Sequence, residues 1–570
     1  MKYSQLFGKP KKDAKAYDTK NATYLIKGGF VDQTMSGVYK YLPLGLKVLN
    51  KIEQIVRQEM DKISQEMLLS ALSPRELWET TNRAEIDVLF KVRGANEASR
   101  MQNDSTYILN PTHEDNITPL VQRFAKSYKE FPIALYQIQN KFRNEARAKS
   151  GVLRGREFRM KDLYSFHTNL EDLMDYYEIA KQAYVRVFER LGIGDSTVIA
   201  LASGGDFTEN YSHEFQTFCD AGEDTIFFDE TENIWYNREV TPAKAPAYKY
   251  DTEMKPRKDV FGENIVSVEK LVEFLKIPIE TTIKTLIYTS KDQIYAVAVR
   301  GDYEVDEGKL KKVTGKKDLQ LADAKTIKQI TGAEVGYAGI LDLPESVEVI
   351  CDEALSDMVN FEVGANKTNY HTVNANWGRD ITKPSQFFDI KVAKDTDLNP
   401  KTGKPYQIKK AAEVGNIFPL ETKFSKAFNF KYVTDNGKEE FVYMGSYGIG
   451  TTRLVGVIAE IMSDDKGLVW PKQVAPYQVH LISLGKKSEE SYLKAEELYQ
   501  NLKSKGIDIL WDDREDASAG EKFADADLIG VPTRLVLSKK TLAEQSIELK
   551  LRTDNDSKMV KLDQILEFDF

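Results

Sequence analysis

The stretch that decides the fold reads ALYQIQNKFRNEAR at positions 134–147 and, after a short turn, GVLRGREFRMKDLYSFH at 151–167. In its first part the apolar residues Tyr136, Ile138 and Phe142 alternate with polar ones, which is the period of a half-buried strand. The polar face is formed by Gln137, Gln139, Lys141, Arg143, Glu145 and Arg147. The pattern predicts a strand from Ala134 to Arg147 with one apolar and one polar face.

The second part predicts a partner strand from Glu157 to His167, after a turn that contains Gly151 and Gly155. One face of this strand carries Phe158, Met160, Asp162, Tyr164 and Phe166. An arginine fork can hold a phosphate with two hydrogen bonds, a carboxylate can accept one from an amine, and a ring can stack on a base. A polar strand face can also be plain solvated surface, but the second strand favours a nucleotide-binding site.

A second informative stretch, MGSYGIGTTRLVGVI at 444–458, predicts a strand, a glycine turn and a helix capped by Thr451 or Thr452. Its glycine spacing is neither that of a dinucleotide-binding turn nor that of a P-loop, so a plain strand-to-helix turn is one interpretation. The presence of Arg453 favours a second interpretation, in which this turn binds an anion. A cation in the first turn of a helix is disfavoured by the helix dipole unless an anion binds there.

Size and composition indicate a large globular protein. The chain has 570 residues, of which 41% are hydrophobic and 29% charged, so three or four domains are expected. No apolar run approaches the roughly 18 residues that span a bilayer, and the first residues lack the apolar core of a secretory signal. We therefore expect a cytoplasmic protein without a membrane partner.

Cysteine and histidine are scarce. Cys219 and Cys351 are the two cysteines and lie far apart, so neither a disulfide framework nor a thiolate cluster is expected. The five histidines are scattered: His113, His167, His213, His371 and His480. We expect no metal site built from the protein's own side chains, zinc included.

The formal net charge of −9 does not by itself indicate a nucleic-acid-binding protein, because phosphate contacts need Lys and Arg. Positive charge is nevertheless concentrated between Tyr136 and Asp162, where there are eight basic residues and three acidic ones. This local excess favours a phosphate-bearing ligand at the predicted hairpin.

The rest of the chain divides into recognisable blocks. A helix is predicted from about Gly45 to Asp61. The Pro- and Ala-rich stretch 241–247 precedes a self-contained α/β pattern with a helix at 267–275 and strands at 282–288 and 294–299. Because a loop-rich stretch at 399–405 then leads back to a strand, this pattern resembles one domain inserted into another. From 476 onward, strands at 478–483, 507–511 and 534–537 alternate with helices at 489–503 and 523–529.

The hairpin segment Phe142-Arg143-Asn144-Glu145, followed by Arg154 and Phe158, resembles motif 2 of class II aminoacyl-tRNA synthetases, and the stretch with Arg453 resembles motif 3. The resemblance implies an α+β multidomain protein with an antiparallel-sheet catalytic core. Arg143 would bind the ATP α-phosphate and the amino-acid carboxylate, and Arg453 the γ-phosphate and adenine. Glu145 would meet the adenine, Arg154 the outer phosphates, and Phe158 would stack on the base. Arg143, Glu145 and Arg453 are thus the catalytic candidates, and Mg²⁺ would arrive with ATP as part of the substrate.

Further stretches resemble bacterial-type prolyl-tRNA synthetases along almost the whole chain: SGVYKYLPLG at 36–45, NPTHED at 110–115, KDLYSFH at 161–167, SHEFQ at 212–216 and GLVWP at 467–471. This implies Thr112 and Glu114 in a proline pocket, with Glu114 or Asp162 taking the ammonium. Arg143 would also meet the bound proline. Met160, Phe166, His213 and Ser446 would shape the pocket, and Gln216 would lie near ATP. For His213, a buried core histidine is the alternative.

A pocket that fits proline cannot exclude alanine sterically, since each missing methylene is worth only about 1–3 kcal/mol. Residues 245–390 resemble the editing domain of these synthetases, which hydrolyses alanyl-tRNA. The resemblance implies that Lys284 holds the terminal phosphate or sugar of the tRNA and that His371 positions the aminoacyl group or water. Asp352 and the glycine loop 336–339 are further candidates. Without the resemblance, a lone lysine on a strand would be read as a solvated charge.

The C-terminal block resembles the class II anticodon-binding domain through WDDR at 511–514 and KFADADLIGVP at 522–532. The implied domains are a first part of the core at 1–240, an editing domain at 241–395, a second part of the core at 396–472 and the anticodon-binding domain at 473–570. The implied partners are tRNA(Pro), proline and ATP, in a homodimer.

Several positions depart from the family pattern. Ser70 stands where the motif 1 proline is expected, Ser446 replaces a cysteine, Asn110 a glycine and Asn416 a histidine, and 517–520 reads ASAG where an arginine usually precedes the glycine. A tRNA-binding paralogue without catalysis or a deacylase with a decayed core remains an alternative, but such proteins lose the motif arginines. Threonyl enzymes would need a zinc site, and seryl enzymes a long helical arm.

Overall fold

The computed structural model describes residues 1–11, 17–146, 148–205, 211–251, 253–316 and 318–570. The chain forms two compact units. The first unit comprises Met1–Ile199, Asp206–Asp224 and Lys410–Phe570, and the second comprises Ala200–Gly205 and Thr225–Lys409. The predicted boundaries 241–395 lie inside the second unit.

The first unit is built on an antiparallel sheet. Its strands in spatial order are Ser212–Phe218, Gln407–Glu421, Tyr443–Ile449, Glu157–His167, Ile133–Phe142 and Gln65–Glu66. Only the last of these pairs, at the edge, is parallel. In the predicted hairpin, Gln137 lies opposite Asp162 and Lys141 opposite Phe158, so these four side chains share a face. The antiparallel core is as expected.

The first hairpin strand ends earlier than predicted, at Phe142 and not at Arg147. Beyond it, the backbone N–H of Asn144 donates to Val88 O at 2.8 Å and that of Glu145 to Arg143 O at 2.8 Å. Arg143 still donates its backbone N–H to Arg156 O at 2.9 Å, so the chain leaves the neighbouring strand only after Arg143, where its backbone groups find partners elsewhere. Arg147 lies outside the residues that the structure describes.

Helices cover the faces of this sheet. The helix Pro43–Met60 begins with a proline at its first turn, which fits the missing N–H there. It buries Val48, Ile52 and Val56 beside the helix Leu170–Arg190, in the largest core of the unit. Outside the C-terminal block, the other helices described in the first unit are Lys20–Lys27, Arg75–Thr80, Glu97–Gln102, Glu114–Phe124, Lys423–Ala427 and Thr451–Ile461. Small strands complete this part: Val31–Met35, Val38–Tyr41, Leu72–Pro74, Phe90–Val92, Tyr107–Leu109, Lys431–Val433, Glu439–Phe441, Ser463–Asp464 and Gly467–Leu468.

The C-terminal block forms a five-stranded sheet with its own apolar core. The strand order is Ile509–Asp512, Val479–Leu484, Thr533–Ser538, Ser546–Leu551 and Lys558–Lys561. The first three strands are parallel and the last two antiparallel. Its helices are Glu490–Ser504, Ala519–Ile529 and Lys539–Ala543. The alternation of strand and helix matches the sequence prediction.

The second unit contains a mixed sheet in the order Lys258–Phe261, Tyr370–Ala375, Phe361–Gly364, Thr282–Thr289, Ile294–Arg300 and Val347–Cys351. Gln320–Leu321 pairs with Thr282–Thr289 off this path. Its helices are Val268–Leu275, Glu307–Thr314 and Ala324–Thr331. A smaller group of strands comprises Asp224–Asp229, Ile234–Asn237 and the end of Thr197–Ala202. In neither unit does a described helix combine the length and apolar character needed to cross a membrane.

Candidate active site

A cleft of about 560 Å³ opens on the sheet of the first unit. It brings together six of the residues singled out from the sequence: Arg143, Glu145, Arg154, Phe158, Met160 and Arg453. Phe158 and Met160 come from the strand Glu157–His167, whereas Arg453 lies in the first turn of Thr451–Ile461. The two arginines that are far apart in sequence therefore share one cavity.

The helix that carries Arg453 begins at Thr451, with Gly450 at the N-cap position and no side-chain cap. The predicted cap by Thr451 or Thr452 is wrong, because both residues lie inside the first turn. Their hydroxyl groups are used elsewhere: Thr451 donates to Glu53 Oε1 at 3.2 Å and Thr452 to Arg159 O at 3.4 Å. The first N–H groups of this helix are thus not taken by a cap and remain suited to an anion.

Arg143 is a cation without a counter-ion. Its guanidinium lies 5.2 Å from the Phe158 ring centre and donates to Pro111 O at 3.4 Å. Within the described part of the chain, no carboxylate comes within 4 Å of it. Burial lowers the pKa of Arg143, and the charge of Arg453 adds to this effect. A bound anion would offset the free-energy cost of burying the Arg143 charge, so the geometry favours a phosphate or carboxylate here.

The other two arginines are held by glutamates. Arg154 donates to Glu145 Oε2 at 2.9 Å and pairs with Glu223. Arg453 Nη1 donates to Glu413 O at 2.7 Å, and its Nη2 lies 3.7 Å from Glu223 Oε1. Glu223 therefore bridges the two guanidinium groups.

Gln216 is fully buried. Its side-chain amide donates to Glu214 Oε2 and to Asp224 Oδ2, both at 2.8 Å. Burial raises the pKa of Asp224 to about 6. Gln216 is not among the described residues that line the cleft.

Thr112, Glu114 and Ser446 form a buried, hydrogen-bonded cluster. Glu114 accepts hydrogen bonds from the Thr112 hydroxyl at 2.5 Å and from the Ser446 hydroxyl at 3.0 Å. Arg83 Nη1 lies 3.5 Å from Glu114 Oε2 but only 2.8 Å from Asp115 Oδ2. One guanidinium thus serves two carboxylates, which leaves a negative charge available at Glu114.

Asp162 is already paired. Lys141, which is fully buried, places its Nζ 2.6 Å from Asp162 Oδ1, and Tyr164 and Gln137 donate to Oδ2. Burial raises the pKa of Asp162, but the charge of Lys141 outweighs it, so the pKa lies below its ordinary value. On the other side, Lys141 contacts Nδ1 of His113 at 2.7 Å. Asp162 and Lys141 therefore form a neutral pair.

The remaining pocket candidates differ in position. Met160 lines the cleft, whereas Phe166 is fully buried in a cluster with Phe430 and Met444. His213 is half-buried and its Nδ1 lies 2.8 Å from the Tyr177 hydroxyl. Burial lowers the pKa of His213 to about 4, so its ring is neutral at neutral pH.

The editing candidates all lie in the second unit. Lys284 pairs with Glu304 at 2.6 Å, and His371 lies between Glu362 and the carbonyl of Ile265. Lys284 and His371 belong to neighbouring parts of one sheet. Asp352, by contrast, is fully buried and accepts from the backbone N–H groups of Ala354 and Ile390, so it stabilises a turn.

Comparison with known proteins decides the family. The model of the tRNA synthetase class II core domain (G, H, P, S and T) matches residues 90–462, and that of the anticodon-binding domain matches 478–568. A proline–tRNA ligase of Listeria welshimeri is 40% identical over 550 residues, which cover 96% of this chain and 95% of that protein. The chain belongs to the proline–tRNA ligase family. A member from Aquifex aeolicus is 38% identical over 573 residues and covers 100% of the chain and 98% of its own length.

Solved structures support the fold. A prolyl-tRNA synthetase of Giardia lamblia in complex with prolyl-adenylate has a TM-score of 0.58 at 14% identity, over 96% of this chain and 77% of that one. The prolyl-tRNA synthetase of Cryptosporidium parvum, complexed with halofuginone and AMPPNP, has a TM-score of 0.57 at 14% identity. The match covers 96% of this chain and 73% of that one. The predicted class II core and C-terminal anticodon-binding domain are confirmed.

The departures from the family pattern have local partners. Asn110 donates to Ser70 O at 2.9 Å and accepts from Ser73 at 2.6 Å, so two of the departures contact each other. Ser446 donates to Glu114, as described above. Asn416 donates to Glu413 Oε1 at 2.6 Å and so helps to hold the glutamate beside Arg453.

Several side chains around the site were not singled out from the sequence. Glu223 and Glu413 flank the arginines, and Lys141 neutralises Asp162. The alternating pattern placed Lys141 on the correct strand face but could not supply its partner. Glu223 and Glu413 belong to segments that are far apart in sequence and meet only in the fold. No local sequence pattern therefore identified them.

Proposed function

We propose that the chain joins proline to tRNA(Pro) in two steps, with prolyl-adenylate as the intermediate, and hydrolyses alanyl-tRNA(Pro) made in error. Family membership supports the ligase activity. The observation that carries the assignment of the site is the convergence of Arg143 and Arg453 on one cleft. ATP enters as its Mg²⁺ complex, with the metal held chiefly by the phosphates.

In the first step, a carboxylate oxygen of proline attacks the α-phosphorus of ATP. A phosphorus–oxygen bond forms, the bond to the oxygen bridging α- and β-phosphorus breaks, and pyrophosphate leaves. Charge builds on the α-phosphoryl oxygens, and the uncompensated guanidinium of Arg143 is placed to stabilise it. Arg154 and Arg453 take the outer phosphates, and the Phe158 ring stacks on adenine.

Charge balance assigns the proline ammonium to Glu114. Asp162 is neutralised by Lys141 at 2.6 Å, whereas Glu114 shares Arg83 with Asp115. The ammonium of proline supplies the missing positive charge. Asp162 then orders the floor of the pocket through Tyr164 and Gln137 and does not bind the substrate directly.

In the editing reaction, water cleaves the ester between alanine and the terminal ribose and releases alanine and tRNA. Lys284 would hold a phosphate or hydroxyl of the tRNA end, and His371 the aminoacyl group. Asp352 contributes by holding the backbone. Lys284→Ala and His371→Ala should impair hydrolysis of alanyl-tRNA(Pro) but leave prolylation intact. Deacylation that persists in both variants would remove the editing assignment.

We also propose a cytoplasmic homodimer that binds tRNA through its C-terminal domain. Leu68 and Leu72 are exposed apolar side chains two residues to either side of Ser70, where the family's interface motif is expected. Such side chains are typical of a protein interface. Sedimentation should give twice the mass of 64.9 kDa, and a monomer at micromolar concentration would contradict the proposal.

The decisive experiment is ATP–pyrophosphate exchange with each of the twenty amino acids. We expect the highest exchange with proline and weaker exchange with alanine. A maximum with threonine or serine would contradict the proposed substrate. Absence of exchange with every amino acid, in a folded protein that still binds tRNA, would instead point to a non-catalytic or deacylase-only paralogue.

A further inference from the structure

A buried histidine–glutamate pair lies in the second unit. His371 is 3% exposed and Glu362 is 2% exposed. His371 Nδ1 lies 3.0 Å from Glu362 Oε1, and its Nε2 lies 3.0 Å from the carbonyl oxygen of Ile265. Across the described ranges, Glu362 has no other charged partner within 4 Å.

The two contacts determine where the ring protons lie. A carbonyl oxygen can only accept, so Nε2 must carry a hydrogen and donate it to Ile265. The contact between Nδ1 and Oε1 also needs one proton, on the imidazole or on the carboxyl group. The pair therefore has no net charge in either form, which suits its burial. Burial raises the pKa of Glu362, which favours sharing of that proton.

The pair faces the same side of the sheet as Lys284. His371 lies opposite Gly364, and Thr282 lies opposite Glu362. Residues two apart on a strand point to the same side of the sheet. Lys284 therefore faces the same side as Thr282, and Glu362 faces the same side as Gly364. Three adjacent strands thus place Lys284, Glu362 and His371 on one face.

The glycine loop 336–339 closes this face. A Cβ atom at Gly364 would lie 2.1 Å from Ala338 O, so only glycine admits the loop backbone there. Tyr337 from the loop is buried, and its ring centre lies 5.5 Å from that of His371. The histidine ring is therefore packed beside Tyr337, and its Nε2 contacts the carbonyl oxygen of Ile265.

We propose that Glu362 is a positioning residue of the editing site: it fixes the ring of His371 so that Nε2–H points to the substrate and donates to the carbonyl oxygen of the aminoacyl ester. The inference rests on the editing function proposed above. His371 then acts as a hydrogen-bond donor to the ester and not as the base that activates water. The ester carbonyl replaces the carbonyl of Ile265, which holds the same donor in the free enzyme.

The proton assignment can be tested in the unmodified full-length enzyme by nitrogen NMR after labelling of histidine. With five histidines in the chain, His371 can be assigned from the signal lost in His371→Gln. We expect a protonated Nε2 and an Nδ1 that shares a proton with a carboxyl group. An Nε2 without a proton would overturn the proposal.

Kinetics test the role of Glu362. Glu362→Gln should lower the kcat for hydrolysis of alanyl-tRNA(Pro) by about 10- to 100-fold, with KM little changed, which is the size of effect seen when a carboxylate that orients a metal-bound histidine is lost. The His371 nitrogen signals should shift in the same variant. Glu348 is an exposed glutamate on the strand Val347–Cys351, and Glu348→Gln is the matched control. This variant should change neither the kcat nor the His371 nitrogen signals.

The outcomes separate this inference from the editing function itself. If His371→Ala abolishes deacylation while Glu362→Gln leaves the rate and the nitrogen signals unchanged, editing stands and the positioning role is wrong. If neither His371→Ala nor Lys284→Ala affects deacylation, the editing assignment fails first. Unchanged proline-dependent exchange in all variants shows that the synthetic site is intact.

Discussion

Arg143 has the clearest consequence at the scale of single residues, because no carboxylate among the described residues lies within 4 Å of its guanidinium. Arg143→Ala should lower ATP–pyrophosphate exchange by about 10²- to 10³-fold, the usual cost of losing one donor to a developing oxyanion. Arg93→Ala removes an exposed arginine that pairs with Asp104 and should leave exchange unchanged. Exchange that survives Arg143→Ala in a folded enzyme would contradict the proposed role.

The two buried acids of the proposed proline pocket should behave differently. Glu114→Gln should raise the KM for proline about 10- to 100-fold, since a hydrogen bond to a charged group is worth about 1.5–3 kcal/mol. Asp162→Asn leaves Lys141 buried without its partner and should destabilise the fold by about 3–5 kcal/mol. Exchange kinetics and urea unfolding of both variants distinguish the roles. A stable Asp162→Asn enzyme with a raised KM would reverse the assignment.

Among the elements, the helix Thr451–Ile461 depends on a small residue at its contact with the motif 2 turn. A Cβ atom at Gly456 would lie 2.7 Å from Val152 Cγ2 and 3.0 Å from Leu153 Cδ2. Leu153 O accepts from Arg453 at 2.8 Å, so movement of the turn displaces that arginine. Gly456→Ala should therefore raise the KM for ATP, although alanine favours a helix by about 1 kcal/mol. An unchanged KM for ATP would show that the turn does not control Arg453.

The hairpin shows how far sequence reasoning reaches. The second strand has the predicted bounds, Glu157–His167, because its alternation continues to the end of the pairing. The first strand stops at Phe142, since Asn144 finds its hydrogen-bond partner at Val88, far away in sequence. In the same way, the alternating pattern predicted the strand faces of Lys141 and Asp162. It did not predict that the two side chains form a pair, because that depends on the register between the two strands. Side-chain partners that come from distant segments, such as Glu223, leave no local signal.

For the whole molecule, the second unit provides a test of domain independence. Lys244 and Leu398 exchange two backbone hydrogen bonds, at 2.9 and 2.8 Å, so the chain enters and leaves residues 245–397 at one place. Replacing this segment with a short linker should preserve proline-dependent exchange and abolish hydrolysis of alanyl-tRNA(Pro). Loss of exchange in a folded deletion variant would show that the segment serves the synthetic site as well.

The serine at position 446 also determines how the enzyme responds to thiol chemistry. Where the family resemblance implies a cysteine, this chain presents a hydroxyl group bonded to Glu114. Both of its cysteines are buried, and burial raises the pKa of Cys219 to about 11 and that of Cys351 to about 12, so the reactive thiolate is scarce. Prolylation should therefore withstand iodoacetamide and mild peroxide, and Ser446→Cys should make it sensitive to both.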